Sequence, residues 1–131
     1  MKKIIILNGS RRKNGNTTKF INSIINKLPK NNYEVEWIFP QDYNIMPCTG
    51  CNLCFTKIKC ILNDDIELLQ NKILNSDLFI AASPVYIHYM TSDLKRVLDR
   101  ISWWTHTYRL QGKPVIIIST CSSNGFDTVL T

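Results

Sequence analysis

Four short apolar runs, "KIIIL" (3–7), "YEVEWIF" (33–39), "DLFIAA" (77–82) and "PVIIIST" (114–120), alternate with amphipathic helical patterns along this chain. That alternation restricts the fold more than any other feature. Three of the runs are almost wholly apolar, as strands buried on both faces of a parallel sheet must be. The second alternates more and is expected at a sheet edge. Between the runs, Phe20, Ile21, Ile24, Ile25 and Leu28 repeat at helical spacing and Pro29 stops them. A second helix is expected from Asp64, with Glu67 completing a capping box and Ile66, Leu69 and Ile73 facing inward. A third starts near Ser92 and aligns Leu94, Val97, Leu98 and Ile101. Strand and helix in strict alternation predict an α/β fold with a doubly wound parallel sheet and right-handed crossovers.

With 131 residues, 44% hydrophobic and 20% charged, the chain has the composition of one soluble globular domain spanning residues 1–131. The net charge of +6 is dispersed, so no segment reads as a nucleic-acid-binding arm. A basic balance suits an anionic ligand or an acidic partner, and equally a solvated surface with neither. The opening "MKKIIILNGS" turns polar too soon for a signal peptide or a membrane span, which predicts a cytoplasmic protein. In that compartment five cysteines indicate metal or redox chemistry rather than structural disulfides.

In a doubly wound sheet the ligand lies beyond the carboxyl ends of the strands. The loops there are 8–17, 40–62, 83–91 and 120–125, and they hold most of the unusual chemistry. The first, within "LNGSRRKNGNTTKF", runs from a strand into a helix N-terminus, where free N–H groups and the helix dipole favour an anion. Gly9 and Gly15 are expected to let the backbone approach a ligand. Asn16, Thr17 and Thr18 are residues that either cap a helix or bind a phosphate. The spacing is neither that of a Walker A loop nor Gly-x-Gly-x-x-Gly. A terminal phosphate monoester held by amides, hydroxyls and an arginine fits; a capped turn with a solvated basic face is the alternative. Cys48, Cys51, Cys54 and Cys60 make a second motif, compact enough for thiolates to converge on one 4Fe–4S cluster. Redox-active thiols or a zinc site are the other chemistries this spacing allows.

These motifs carry a resemblance. "NGSRRKNGNTTKF" resembles the FMN-phosphate loop of the flavodoxin-like NADPH-dependent FMN reductases and iron–sulfur flavoproteins. "SPVYIHYMTSDLKRVLDR" resembles that family's second flavin loop and following helix, and "MPCTGCNLCFTKIKC" the cysteine motif of the iron–sulfur flavoproteins. The resemblance implies that Ser10, Arg12, Asn16 and Thr17, with Thr18 beside them, bind the FMN phosphate. It implies that Pro84, Val85 and Tyr86 line the isoalloxazine ring with backbone amides and an aromatic edge. The loop from Thr120 to Gly125 would approach the ring's pyrimidine side. His88 is expected at the surface, and Cys121 as a small packing residue near the flavin.

The implied activity is that of an FMN-dependent oxidoreductase. Electrons would come from NAD(P)H or reduced ferredoxin and pass to a small acceptor such as a quinone or free flavin. A non-enzymatic electron carrier, or a cysteine-loop metal-binding module without flavin, are the alternative classes. The family sheet has five strands and only four are found, so a domain shortened at its C-terminus is expected. That would leave "VIIIST" as an apolar edge inviting a second copy. Trp103 and Trp104 are not both expected inside a four-stranded monomer. An oligomer with the flavin site near the interface, and weakened flavin retention, follow from that reasoning.

Overall fold

The first apolar run becomes the central strand β1 (Lys2–Asn8), paired in parallel with β2 (Tyr33–Ile38) on one side and β3 (Leu78–Pro84) on the other. Strand β4 (Val115–Thr120) pairs with β3, giving a four-stranded parallel sheet in the order β2-β1-β3-β4. The computed structural model describes residues 1–130, the Phe126 side chain excepted. Between the strands lie α1 (Asn16–Ile25), α2 (Cys54–Lys57), α3 (Ile66–Leu74), α4 (Ser92–Ile101) and α5 (Trp104–Thr107); α6 (Phe126–Leu130) follows β4. No helix among the described residues is long and apolar enough to cross a membrane.

The two-residue period of β1 divides the core. Ile4 and Ile6 face one side and pack with Ile80, Ala82, Ile118 and Ile21 of α1. Ile5 and Leu7 face the other and pack with Phe79, Ala81, the Leu69 and Ile73 stripe of α3, and Leu94, Val97 and Ile101 of α4. Both faces are therefore covered, as the continuous apolar runs require. Strand β2 lies at an edge as expected.

Several expectations are corrected. Phe20 is 51% exposed; it lies about 100° round the helix from Ile21, at the margin of the stripe. The capping box expected at Asp64 is replaced by another arrangement: α3 starts at Ile66, and the Asp64 carboxylate accepts from the Ile66 N–H but also serves Met46 and Arg100. Trp103 and Trp104 are each only 4% exposed and pack edge to face inside the α3–α4 core. One chain therefore buries both rings, although the Trp103 Nε1 finds no hydrogen-bond partner among the described residues, and neither ring supports an interface. Strand β4 does present an apolar edge, with Val115, Ile116 and Ile117 exposed by 41%, 39% and 57%.

Candidate functional site

Strands β1 and β3 are neighbours, but the connections leaving them run to opposite sides of the sheet, and loops at such a switch point diverge to leave a crevice. A cleft of about 380 Å³ opens there, lined by Ser10, Arg12, Gly15, Asn16 and Thr17 from the first loop. Pro84, Val85 and Tyr86 line it after β3, and Thr120, Cys121 and Ser122 after β4. Eight of the ten residues expected to bind the cofactor thus converge. The other two lie beside it. Thr18 is buried and accepts a hydrogen bond from Asn8 Nδ2 at 3.0 Å. Gly125 is buried at φ +92°, where an added Cβ would lie 2.9 Å from Val85 Cγ1 and 3.0 Å from His88 Cα.

Hydrogen bonds shape the first loop. Asn8, fully buried at the end of β1, accepts from the Ser10 N–H at 2.9 Å and so holds both Ser10 and Thr18. The Ser10 hydroxyl accepts from the Arg12 N–H at 3.2 Å. Gly9 has a packing role rather than the ligand approach expected of it: a Cβ would meet Thr91 Oγ1 at 2.6 Å and Leu94 Cβ at 2.8 Å. Thr91 donates to the Gly9 carbonyl at 2.7 Å and caps α4 by accepting from Leu94 N–H. By contrast, Gly15 occupies the N-cap of α1, and neither Asn16, Thr17 nor Thr18 caps it. The first N–H groups of α1 carry no side-chain cap, the condition under which a helix start binds an anion.

The three consecutive cations separate by partner. Arg11 grips Asp93 with two bonds, at 2.7 and 3.1 Å, and the carboxylate holds its pKa above the ordinary value. Lys13 pairs with Asp42 at 2.7 Å and lies over the Phe39 ring. Arg12 alone of the three has no carboxylate partner among the described residues, and it lines the cleft. Thr17 of the first loop and Thr120 after β4 share a hydroxyl hydrogen bond of 2.8 Å.

The loop after β3 differs from expectation in its amides. Val85 N–H donates to Thr120 O and Tyr86 N–H to Tyr89 O, both at 2.8 Å, so neither is free to face a ring. Ile87 and His88 form the two-residue tip between Tyr86 and Tyr89, at φ 47° and 60°. A β-branched residue in the left-handed region stores backbone strain, and Ile87 is 94% exposed.

The four motif cysteines ring a separate cavity of about 100 Å³, with Asp99, Arg100 and Ser102 completing its wall. Cys48 and Cys51 are exposed, Cys54 and Cys60 half-buried. The Leu53 N–H and the Thr49 hydroxyl help pull the Cys51 thiol below its ordinary pKa, whereas burial pushes Cys54 up. No three ligating side chains among the described residues are close enough to share one metal ion. Cys121 is exposed on the wall of the larger cleft rather than packed. Sequence reasoning missed Asn8, Thr91, Asp93 and the Asp64–Arg100 pair. Only the Thr-x-x-Leu approach to α4 carried a local signal, that of an N-cap.

A four-stranded parallel sheet in this order, with a cleft at its switch point, defines a flavodoxin-like fold. The sequence pattern of the NADPH-dependent FMN reductases matches residues 2–130, and the chain belongs to that family. It is 37% identical over 113 residues to an iron–sulfur flavoprotein of Archaeoglobus fulgidus, covering 86% of this chain and 51% of that one. It thus spans about half the length of the curated relatives it matches. In fold it is similar to RosB solved with a bound 8-demethyl-8-formylriboflavin-5′-phosphate intermediate (TM-score 0.74, 19% identity, 98% of this chain and 56% of that one). It is also similar to the apo form of the NADH:FMN oxidoreductase EMOB (TM-score 0.66, 19% identity, 99% and 64%).

Proposed function

We propose that this chain is the FMN-binding part of an iron–sulfur-flavoprotein-type oxidoreductase. One observation carries the reading: an uncapped helix start, the Ser10 and Thr17 hydroxyls and Arg12, the loop cation without a carboxylate partner among the described residues, share a cleft with Pro84–Tyr86 and Thr120. A phosphate monoester matches that donor set, with Arg12 supplying the charge-assisted bonds. FMN in this cleft would take reducing equivalents from NAD(P)H, or from reduced ferredoxin, and pass them to a small acceptor such as a quinone or free flavin. The protein's part is to hold the phosphate, wall the ring with Val85 and Tyr86, and brace the ring loops through Gly125. The test is a titration with FMN and with riboflavin. FMN is expected to bind at least about tenfold tighter, the value of one charge-assisted contact. Equal affinities would sink the reading.

The cysteine loop belongs to it as the holder of a 4Fe–4S cluster, supported by four cysteines around one cavity. Four thiolates on one zinc ion would have to close to about 3.8 Å from each other, whereas a cluster accepts them further apart. Anaerobic reconstitution should take up iron and sulfide and add a dithionite-bleached absorbance beneath the flavin bands; four thiols still titratable afterwards would remove the cluster. The reading also includes a reducing, cytoplasmic setting and self-association. Sedimentation of a dilute sample should then show at least a dimer, and a stable monomer with tightly held FMN would remove that part.

A further inference from the structure

Arg100, in the last turn of α4, has no exposed side-chain surface, and neither has its partner Asp64. The guanidinium grips the carboxylate at 2.6 and 3.1 Å. The same nitrogen, Nη1, donates to the Met46 carbonyl at 2.8 Å, and Nε donates to Cys60 Sγ at 3.3 Å. Asp64 in turn accepts from the Met46 N–H at 2.7 Å and the Ile66 N–H at 3.0 Å. Both polar groups of Met46, two residues before Cys48, are thus fixed by this pair, as is Cys60 at the far end of the motif. A wholly buried ion pair adds little net stability, because desolvation offsets most of its attraction. What it fixes is geometry.

We propose that Arg100 is a positioning residue for the cysteine site: it ties the two ends of the loop to α4 and donates a charged N–H to the sulfur of Cys60. The cluster part of this rests on the reading above; the tethering part does not. A hydrogen bond to a ligating sulfur draws electron density from it and stabilises the reduced cluster, raising its potential. Among the four ligands, Cys60 is the one with a guanidinium in contact. The opposite end of α4 is joined to the FMN cleft through Thr91 and Gly9, so one rigid helix sets the position of both sites.

The test compares wild type with Arg100→Lys, which keeps the charge and loses the fork, and with the double variant Arg100→Met/Asp64→Leu. The double variant removes both charges together, so no lone buried ion prevents folding. In metal-free protein, the Met46 amide should lose at least about tenfold hydrogen-exchange protection in the double variant, which removes its Asp64 acceptor, and a smaller part of it in Arg100→Lys, which keeps Asp64 but frees it from the guanidinium. Cys60 should also be alkylated faster relative to Cys48, while FMN affinity stays within about twofold. After anaerobic reconstitution, both should hold a cluster of lower potential than wild type in a spectroelectrochemical titration. Unchanged Met46 protection with unchanged Cys60 alkylation would overturn the tether, and an unchanged potential would overturn the hydrogen bond's role. If wild type itself takes up no iron, the cluster reading fails, and the exchange and alkylation rates alone decide whether Arg100 positions the loop.

Discussion

The switch-point cleft and the cysteine loop are built by opposite means. The cleft is made of strand ends and a helix start, and each wall is locked to its neighbour by buried groups: Asn8 to Ser10 and Thr18, Thr91 to Gly9, Thr17 to Thr120. The cysteine loop has one four-residue helix, two non-glycine residues at positive φ (Asn52 and Ile58), and one buried tether through Asp64 and Arg100. A site made from the sheet inherits the sheet's rigidity, because moving it means moving core strands. A site on a long loop is only as ordered as its anchors and any group it binds.

The sharpest way to break this contrast is with glycines. Gly9→Val should be the most damaging change: its Cβ alone would lie 2.6 Å from Thr91 Oγ1 and 2.8 Å from Leu94 Cβ. Overpacking together with the lost α4 cap should cost about 3 kcal/mol or more, read as a lowered urea midpoint with FMN binding lost. Gly50→Ala is the matched change in the cysteine loop. Nothing lies within 4 Å of its added Cβ, and only the strain of φ +69° remains, a cost of about 1–2 kcal/mol. Comparable damage from the two would erase the distinction. Next in size is Arg12→Ala, expected to weaken FMN by roughly 1.5–3 kcal/mol while leaving riboflavin binding and iron uptake unchanged.

The same contrast explains what could be read from sequence. The strands were legible because Ile4–Leu7 and Phe79–Ala82 carry a continuous apolar signal that a sheet covered on both faces satisfies, and Ile116–Ile118 repeat it although Ile116 and Ile117 stay exposed. The cleft followed, since strand order places particular loops together whatever their sequence. The anchors were not legible. Asp64 looks like a helix cap and Arg100 like a basic residue closing a helix; their pairing spans 36 positions and no local rule joins them. The tryptophans were misplaced for a related reason. Trp103 and Trp104 follow directly on α4, and only the turn there swings both rings beneath the cysteine loop into the α3–α4 core. Nor could composition separate Arg11, Arg12 and Lys13, whose different roles depend on where Asp93 and Asp42 lie in space.

Acid should separate the two regions as well. Burial raises the Asp64 pKa, but hydrogen bonds from Arg100 and the Met46 and Ile66 amides more than reverse this, and the net shift is downward. A carboxylate with a folded pKa below its unfolded value contributes stability that is complete above the unfolded value, about 3.9 for Asp. That contribution is lost as pH falls through the folded value. Pepsin digestion between about pH 4 and pH 2 should therefore cut within residues 46–62 at a higher pH than within 8–17. Simultaneous cutting would mean that Asp64 does not hold the loop.

The smallest effect expected is that of Arg11→Ala, and its smallness is informative because Arg11 and Arg12 are adjacent and chemically identical. Arg11 is not among the residues lining the cleft and binds Asp93 in the first turn of α4. Its side chain is 67% exposed while that of Asp93 is 8% exposed. Solvent screens such a pair, and Asp93 keeps the favourable field of the α4 N-terminus when the arginine is removed. FMN affinity should change by less than about threefold, against tenfold or more for Arg12→Ala. Raising the salt concentration should narrow the Arg11 difference further and leave most of the Arg12 difference, if the latter comes from the direct phosphate contact proposed above. An Arg11 variant that lost FMN as severely as the Arg12 variant would show that the phosphate is held by the charge of the whole loop. The geometry of one side chain would then not be what selects it.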